Sequence, residues 1–350
     1  MDLTPRGPLT AALLPALDAP LHPIPDLPVV AAAAVQRATA APGTAAHDTA
    51  LDTVVDEDVQ LALYLLYELH YGLDGADPRW EWAPDLLAAR AVLETAFEAD
   101  LRRRWAVPVP DEPVASTLFD MTADAARPGR GSLAAHVARY ATYEQVQELL
   151  VLRSVYQLKE ADPHTWGIPR LRGRAKAALV DIQSDEYGGG DAERMHAVLF
   201  ATTMRSLGLD DTRNAYLEAV PAGVLAGVNA ISLFGLHGRL VAALCGHLAA
   251  FEMTSSLPAR RWVTGLRRLG VPEEGVVFYD EHVEADAVHE QVAAHDLCGS
   301  LVEEDPRAHA DVLFGAAVCL GADDLVGSAV RGAWSEGRSP LRTRLAPATA

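Results

Sequence analysis

Three side chains able to bind a metal, His282, Asp286 and His289, recur at i, i+4 and i+7. Only an α-helix brings positions with that spacing onto one face, so the segment has to be helical if the three groups act together. Earlier in the chain Glu193 and His196 show the Glu-x-x-His spacing with which helical bundles offer one carboxylate and one imidazole to a shared pair of metal ions. Together the two elements point to a non-haem diiron site in an all-α protein.

Half of the 350 residues are hydrophobic, enough for one large core or two smaller ones. Lys and Arg number 29 against 48 Asp and Glu, a formal charge of −19, and a polyanion such as nucleic acid would meet net repulsion. Cys245, Cys298 and Cys319 are far apart and form no C-x-x-C pair, which argues against a disulfide framework, a zinc ribbon or a thiolate-held cluster. The first twenty residues lack a basic start, and Pro8, Pro15 and Pro20 interrupt their apolar run. No signal peptide is read there. The apolar stretch 220–236 is broken by Pro221, glycines and Asn229, so no membrane span is read either. The expectation is a soluble, cytoplasmic protein with neither nucleic acid nor membrane as a partner.

Residues 1–50 are Ala- and Pro-rich without sustained periodicity and are expected to be flexible or loosely draped. Apolar residues at helical spacing over 56–71 and 84–105 predict an N-terminal helical hairpin within 51–113. The run PVPDEP ending at Pro113 breaks any helix and marks a boundary, with a larger helical domain over 114–340. Within it the periodicity predicts helices near 131–142, 144–162, 172–187, 191–207, 212–219, 237–256, 258–269, 278–298, 306–320 and 322–333, and no strand alternation is seen. Gly188, Gly189 and Gly190 force a break between Glu186 and Glu193, since each internal glycine costs about 1 kcal/mol of helix stability.

Two ferrous ions carry four positive charges, and burying them requires ligands that return a similar negative charge. Glu193 and Asp286 come with the two motifs. Glu252 sits late in an apolar helix, and Glu160 ends the apolar helix holding Val151, Val155 and Leu158. Four carboxylates with His196, His282 and His289 form an oxygen and nitrogen set suited to iron or manganese. His70 stands two residues from Glu68 and so on another helix face. His164, following Pro163 in a turn, and His237 and His247 read as packed or orienting histidines.

Residues 149–172 (LLVLRSVYQLKEADPHTWGIPRLR), 185–200 (DEYGGGDAERMHAVLF) and 278–289 (FYDEHVEADAVH) resemble the haem-oxygenase-like diiron oxidases, or iron-containing redox enzymes, and in particular their N-oxygenating members. The resemblance covers most of 130–300. It implies a haem-oxygenase-like helical bundle in 114–340 whose metal ligands are Glu160, Glu193, His196, Glu252, His282, Asp286 and His289. The N-oxygenating members add a carboxylate one heptad before the Glu-x-x-His glutamate, and Glu186 holds that position. The N-terminal helices resemble the segment that pairs subunits in such proteins, which implies a homodimer.

The activity so implied uses two Fe(II)/Fe(III) ions, or a manganese and an iron, with O2 as co-substrate and an external reductant or electron donor. O2 would be taken to a peroxide-level diferric intermediate and used to oxygenate an amine or guanidine nitrogen of a small-molecule substrate. Oxidative C–C cleavage, decarboxylation or desaturation of a fatty or amino acid is the alternative on the same scaffold. From another class comes a non-redox, thiaminase-related hydrolase or binding protein, which would need a cysteine nucleophile or a vacant pocket. Tyr156, one turn before Glu160, is a candidate redox-active or structural neighbour, and Arg205 a candidate anion-binding or structural one.

Overall fold

The computed structural model describes residues 3–40, 52–126 and 132–345, apart from the side chains of 39–40, 124–126 and 284–287. Among the described residues every regular element is helical. By internal contacts the chain divides into two units, one of 1–106 with 221–230 and one of 107–220 with 231–350.

In the first unit, helices α1 (Pro8–Leu17) and α2 (Leu27–Ala40) correct the expectation of a loosely draped start for the described part of 1–50, while 41–50 lie outside the described residues. Leu9, Leu13 and Leu17 are buried, so α1 earns its helix from core packing despite Pro15. Its N-terminus is capped from α3 (Glu57–Glu68), because Asp58 accepts the Leu9 and Thr10 N–H groups at 2.9 and 2.8 Å and the Thr10 hydroxyl at 2.7 Å. A Cβ on Gly7 would lie 2.4 Å from that carboxylate, which keeps the position a glycine. Helix α3 is started by Asp56, whose side chain accepts from Val59 N–H. Helix α4 (Pro84–Trp105) starts on proline, with Asp85 in its first turn and Arg102, Arg103 and Arg104 in its last, charges that match the helix dipole at both ends. The first segment of the unit runs to Ala106, and 221–230 complete it.

The second unit opens with α5 (Val114–Ala126), α6 (Leu133–Arg139) and α7 (Tyr143–Gln157). Thr142 and Gln145 start α7 with a reciprocal capping box. The one-turn α8 (Asp162–Thr165) leads to α9 (Gly173–Glu186) and α10 (His196–Ser206). Helix α11 (Ala222–Leu236), whose residues 222–230 belong to the first unit and which, like α5, the sequence reading left out, precedes α12 (Val241–Met253), α13 (Ser256–Arg268) and α14 (Val277–Gln291). A π-helical stretch, Val292–Gly299, continues α14 into α15 (Ser300–Glu304), and α16 (Ala308–Ser335) closes the unit. The two helices expected over 306–333 are one, because a lone Gly321 costs about 1 kcal/mol and the flanking apolar face is buried.

Helices α12 and α16 pack backbone to backbone. A Cβ on Gly246 would lie 1.8 Å from the Val312 carbonyl oxygen, and one on Gly315 would lie 1.9 Å from that of Ala243. This contact fixes the axis of α12, which carries His247 and Glu252. Helix α16 is long and apolar enough to cross a membrane, yet more than half of its most apolar window is buried inside the protein.

Candidate metal centre

The first carboxylate of the site stands just beyond a helix end. Helix α7 stops at Gln157, short of the predicted 162, and Glu160 occupies the turn that follows. The next residue, Ala161, has φ 76°, a region costly to a side-chain-bearing residue. Its carbonyl accepts from the N–H groups of His164 and Thr165 and from Gln183 Nε2 at 3.1, 3.0 and 2.8 Å. Those contacts hold the strained turn that directs Glu160 inward, where it is 3 % exposed.

Glu186 ends α9, and the three glycines after it all have positive φ, at 69°, 62° and 90°. A Cβ on Gly188 would meet the Arg194 carbonyl carbon at 2.7 Å, so the chain doubles back in a way only glycine allows. The reversal brings His196, the first residue of α10, to Glu186, with Nδ1 2.9 Å from Oε2. That contact is an ion-pair approach off the hydrogen-bonding axis, as His196 Nδ1 has no hydrogen-bond partner. The same reversal puts Glu193 on an exposed 3-10 turn, Ala192–Arg194, where the Asp191 side chain accepts its N–H. The expected helix over 191–207 therefore begins five residues late, at His196. Glu193 and His196 do not share its face, and Glu193 stands outside the buried cluster.

His282 and His289 lie on α14, buried as the i, i+7 spacing predicts. Asp286 lies between them on that helix, its side chain outside the described residues. His282 Nδ1 is 2.6 Å from the Phe278 carbonyl oxygen, and its Nε2 lies 3.9 Å from Glu160 Oε1. His289 Nδ1 is 3.2 Å from Glu252 Oε2, and its Nε2 is 3.0 Å from Asp185 Oδ2. Two groups of donor atoms result, each within 4.8 Å of one another: Glu160, Glu186, His196 and His282 in one, Glu186, Glu252 and His289 in the other. Glu186 belongs to both.

Burial pushes the Glu160 carboxyl well above the usual carboxylate range, and the charge of Glu186 adds to it. Glu252 is raised by burial in the same way. Burial also acts on Glu186, but contact with His196 and the charges of His196, His282 and His289 outweigh it and lower its pKa. Against their own burial, His196 is raised to about 9 chiefly by Glu186 and His289 to about 9 chiefly by Glu252. His282 is lowered to about 4 by burial and by His196. The charges of the cluster thus hold each other in place, and both oxygens of Glu160 remain buried without a hydrogen-bond partner. A buried carboxylate in that condition is costly, and a cation among these oxygen and nitrogen donors removes the cost. The donor set fits iron.

The family profile described as iron-containing redox enzyme matches residues 147–324. The chain belongs to that family. The matched span contains every residue of the cluster, and the chain has the all-α, haem-oxygenase-like fold of this iron-containing redox enzyme family. A nitrosourea synthase of Streptomyces achromogenes subsp. streptozoticus is 27 % identical over 154 residues, which is 44 % of this chain and 32 % of that relative. The match spans about a third of the relative's length.

Beside the centre of this redox enzyme lies a second buried group that the sequence reading treated as separate histidines. Tyr156 Oη is 3.5 Å from His164 Nδ1, and His164 Nε2 is 3.3 Å from His247 Nδ1. The Tyr156 ring packs on Phe251, next to Glu252. No motif joins His164 to His247, and only the crossing of their helices could have revealed the pair. Arg205 pairs with Asp211 and Thr202 at the surface, which corrects its candidacy as an anion anchor at the site. His70 contacts Glu81 and Arg90 in the first unit. Asp185, at His289, is the contact that spacing missed.

Proposed function

We propose that the chain is a non-haem diiron oxygenase acting on a nitrogen of a small amine- or guanidine-containing metabolite. The observation that carries the metal reading is Glu160, an acid buried with both oxygens unpartnered and facing the other donors of the cluster. Glu160, Glu186, His196 and His282 would hold one iron and Glu186, Glu252 and His289 the other. With Asp286 from α14, four carboxylates would balance two ferrous ions. When bound, the irons would supply O2 reduction and transfer of an oxygen atom, with electrons from an external donor.

The protein's own residues shape that chemistry by excluding water and fixing the donors. Glu160, Glu186, His196, Glu252, His282 and His289 are all buried, so their charges act in a poorly screened interior. The Phe278 carbonyl fixes the proton of His282 on Nδ1 and leaves Nε2 facing Glu160. The extra carboxylate, Glu186, would favour the oxidised irons and an oxidant suited to an electron-rich nitrogen. Similarity to a protein named nitrosourea synthase supports a nitrogen substrate in natural-product biosynthesis.

The hydrolase alternative finds no exposed cysteine among the described residues. Cys245, Cys298 and Cys319 are buried, and burial raises every one of the thiols, Cys245 to about 12, where a thiolate is unavailable. The test is to load the protein with Fe(II) without oxygen, mix it with O2 and a panel of amines, guanidines and fatty acids, and analyse products by mass. Nitrogen oxygenation in wild type, lost in His282→Ala, is expected. Turnover of fatty acids alone would overturn the nitrogen assignment.

A further inference from the structure

We propose that Asp185, which belongs to neither ligand motif, is the positioning residue that makes His289 an Nδ1 donor. The inference rests on the metal-centre reading above and adds to it an outer partner that orients one ligand.

The argument starts from the two ring nitrogens of His289. Nδ1 faces buried Glu252, inside the donor cluster, while Nε2 faces Asp185 at 3.0 Å. An imidazole that binds a cation through one nitrogen carries its proton on the other. The cation therefore takes Nδ1, and Nε2–H donates to the Asp185 carboxylate. Such an outer carboxylate orients the ring and raises its basicity.

His282 is held differently. Its outward partner is the Phe278 carbonyl oxygen, part of its own helix, at 2.6 Å. That acceptor is fixed by the backbone and shielded. Asp185 is a side chain 63 % exposed, within reach of salt. The two halves share Glu186 but hold their histidines by different acceptors, one built into the backbone and one that a substitution can remove.

The experiment is an anaerobic titration of the metal-free, full-length chain with Co(II), read by visible absorbance and by competition with a chromophoric chelator. Wild type should take two cobalt ions. Asp185→Asn should weaken one of them by roughly 10- to 100-fold and leave the other unchanged, Asp185→Glu should recover most of the loss, and Asp181→Asn, one turn away on the exposed face of α9, should leave both unchanged. Two ions bound by Asp185→Asn as by wild type would overturn the proposal, as would an equal loss in Asp181→Asn, which would mean diffuse surface charge. A wild type that takes up no cobalt would instead overturn the metal-centre reading, and the proposal with it.

Discussion

The second unit buries two groups of histidines that share helices yet have opposite electrostatics. Helix α12 carries His247 and, five residues on, Glu252, while Tyr156, Glu160 and His164 follow one another around the end of α7. The rings of His164 and His247 meet each other, Tyr156 and Phe251. Burial alone then lowers His247 to about 3 and, with His247 beside it, drives His164 well below the usual range. In the other group, His196 and His289 face carboxylates and are raised to about 9 despite burial. Burial makes a histidine neutral and structural. Buried carboxylates around it make a place for a cation.

Removing the shared carboxylate should break the contrast most severely. Glu186→Ala is expected to lower iron affinity by more than about 100-fold, beyond the loss typical of an outer partner, while His247→Leu should keep the wild-type stoichiometry, both read by chelator competition. A comparable loss in His247→Leu would mean that the neutral pair belongs to the metal site. Gly246→Ala should be next in size, since its Cβ has no space against the Val312 carbonyl. A destabilisation of about 3 kcal/mol, measured by urea unfolding, is expected, with Glu252 displaced as α12 shifts.

Acid sharpens the comparison through its sign. His247 has a native pKa of about 3 against an ordinary value near 6.5, so below about pH 6.5 the unfolded chain binds a proton that the native state refuses. Its contribution to stability is present above that pH and is lost as pH falls toward about 3, by up to about 1.4 kcal/mol per unit. The stability gap between wild type and His247→Leu should therefore shrink on acidification. In metal-free protein His196 and His289 act oppositely. Their raised pKa values stabilise the fold below about pH 6.5 and lose that effect as pH rises through about 9. Denaturant midpoints across pH for wild type, His247→Leu and His196→Ala measure both slopes, and slopes of one sign would refute the distinction. The smallest change is expected for Arg205→Ala, whose exposed pairing is worth roughly 0–1 kcal/mol and whose iron binding should be unaltered.

Much of this organisation was legible in the sequence wherever one helix carries the information. The spacing of His282 and His289 predicted their common buried face, and apolar periodicity marked α7, α9 and α12. Glu193 and His196 misled because helical spacing was carried across a segment that three glycines turn into a reversal, which buries His196 and exposes Glu193. The same glycines bring Glu186 to His196. Helices α1, α2, α5 and α11 escaped notice because their content of alanine and other weakly patterned residues hides helical periodicity, and packing supplies what propensity lacks. Asp185 and the His164–His247 pair depend on contacts between helices distant in sequence, which no spacing encodes.

The central claim is that one buried cluster, joined by Glu186, holds two irons. Its most direct test is an anaerobic Fe(II) titration of metal-free wild type and Glu186→Ala, with bound iron counted after removal of the excess and folding checked by circular dichroism. Two irons per chain in wild type, both lost from a folded Glu186→Ala, is the result the account predicts. No iron in wild type, or two in Glu186→Ala as well, would contradict it.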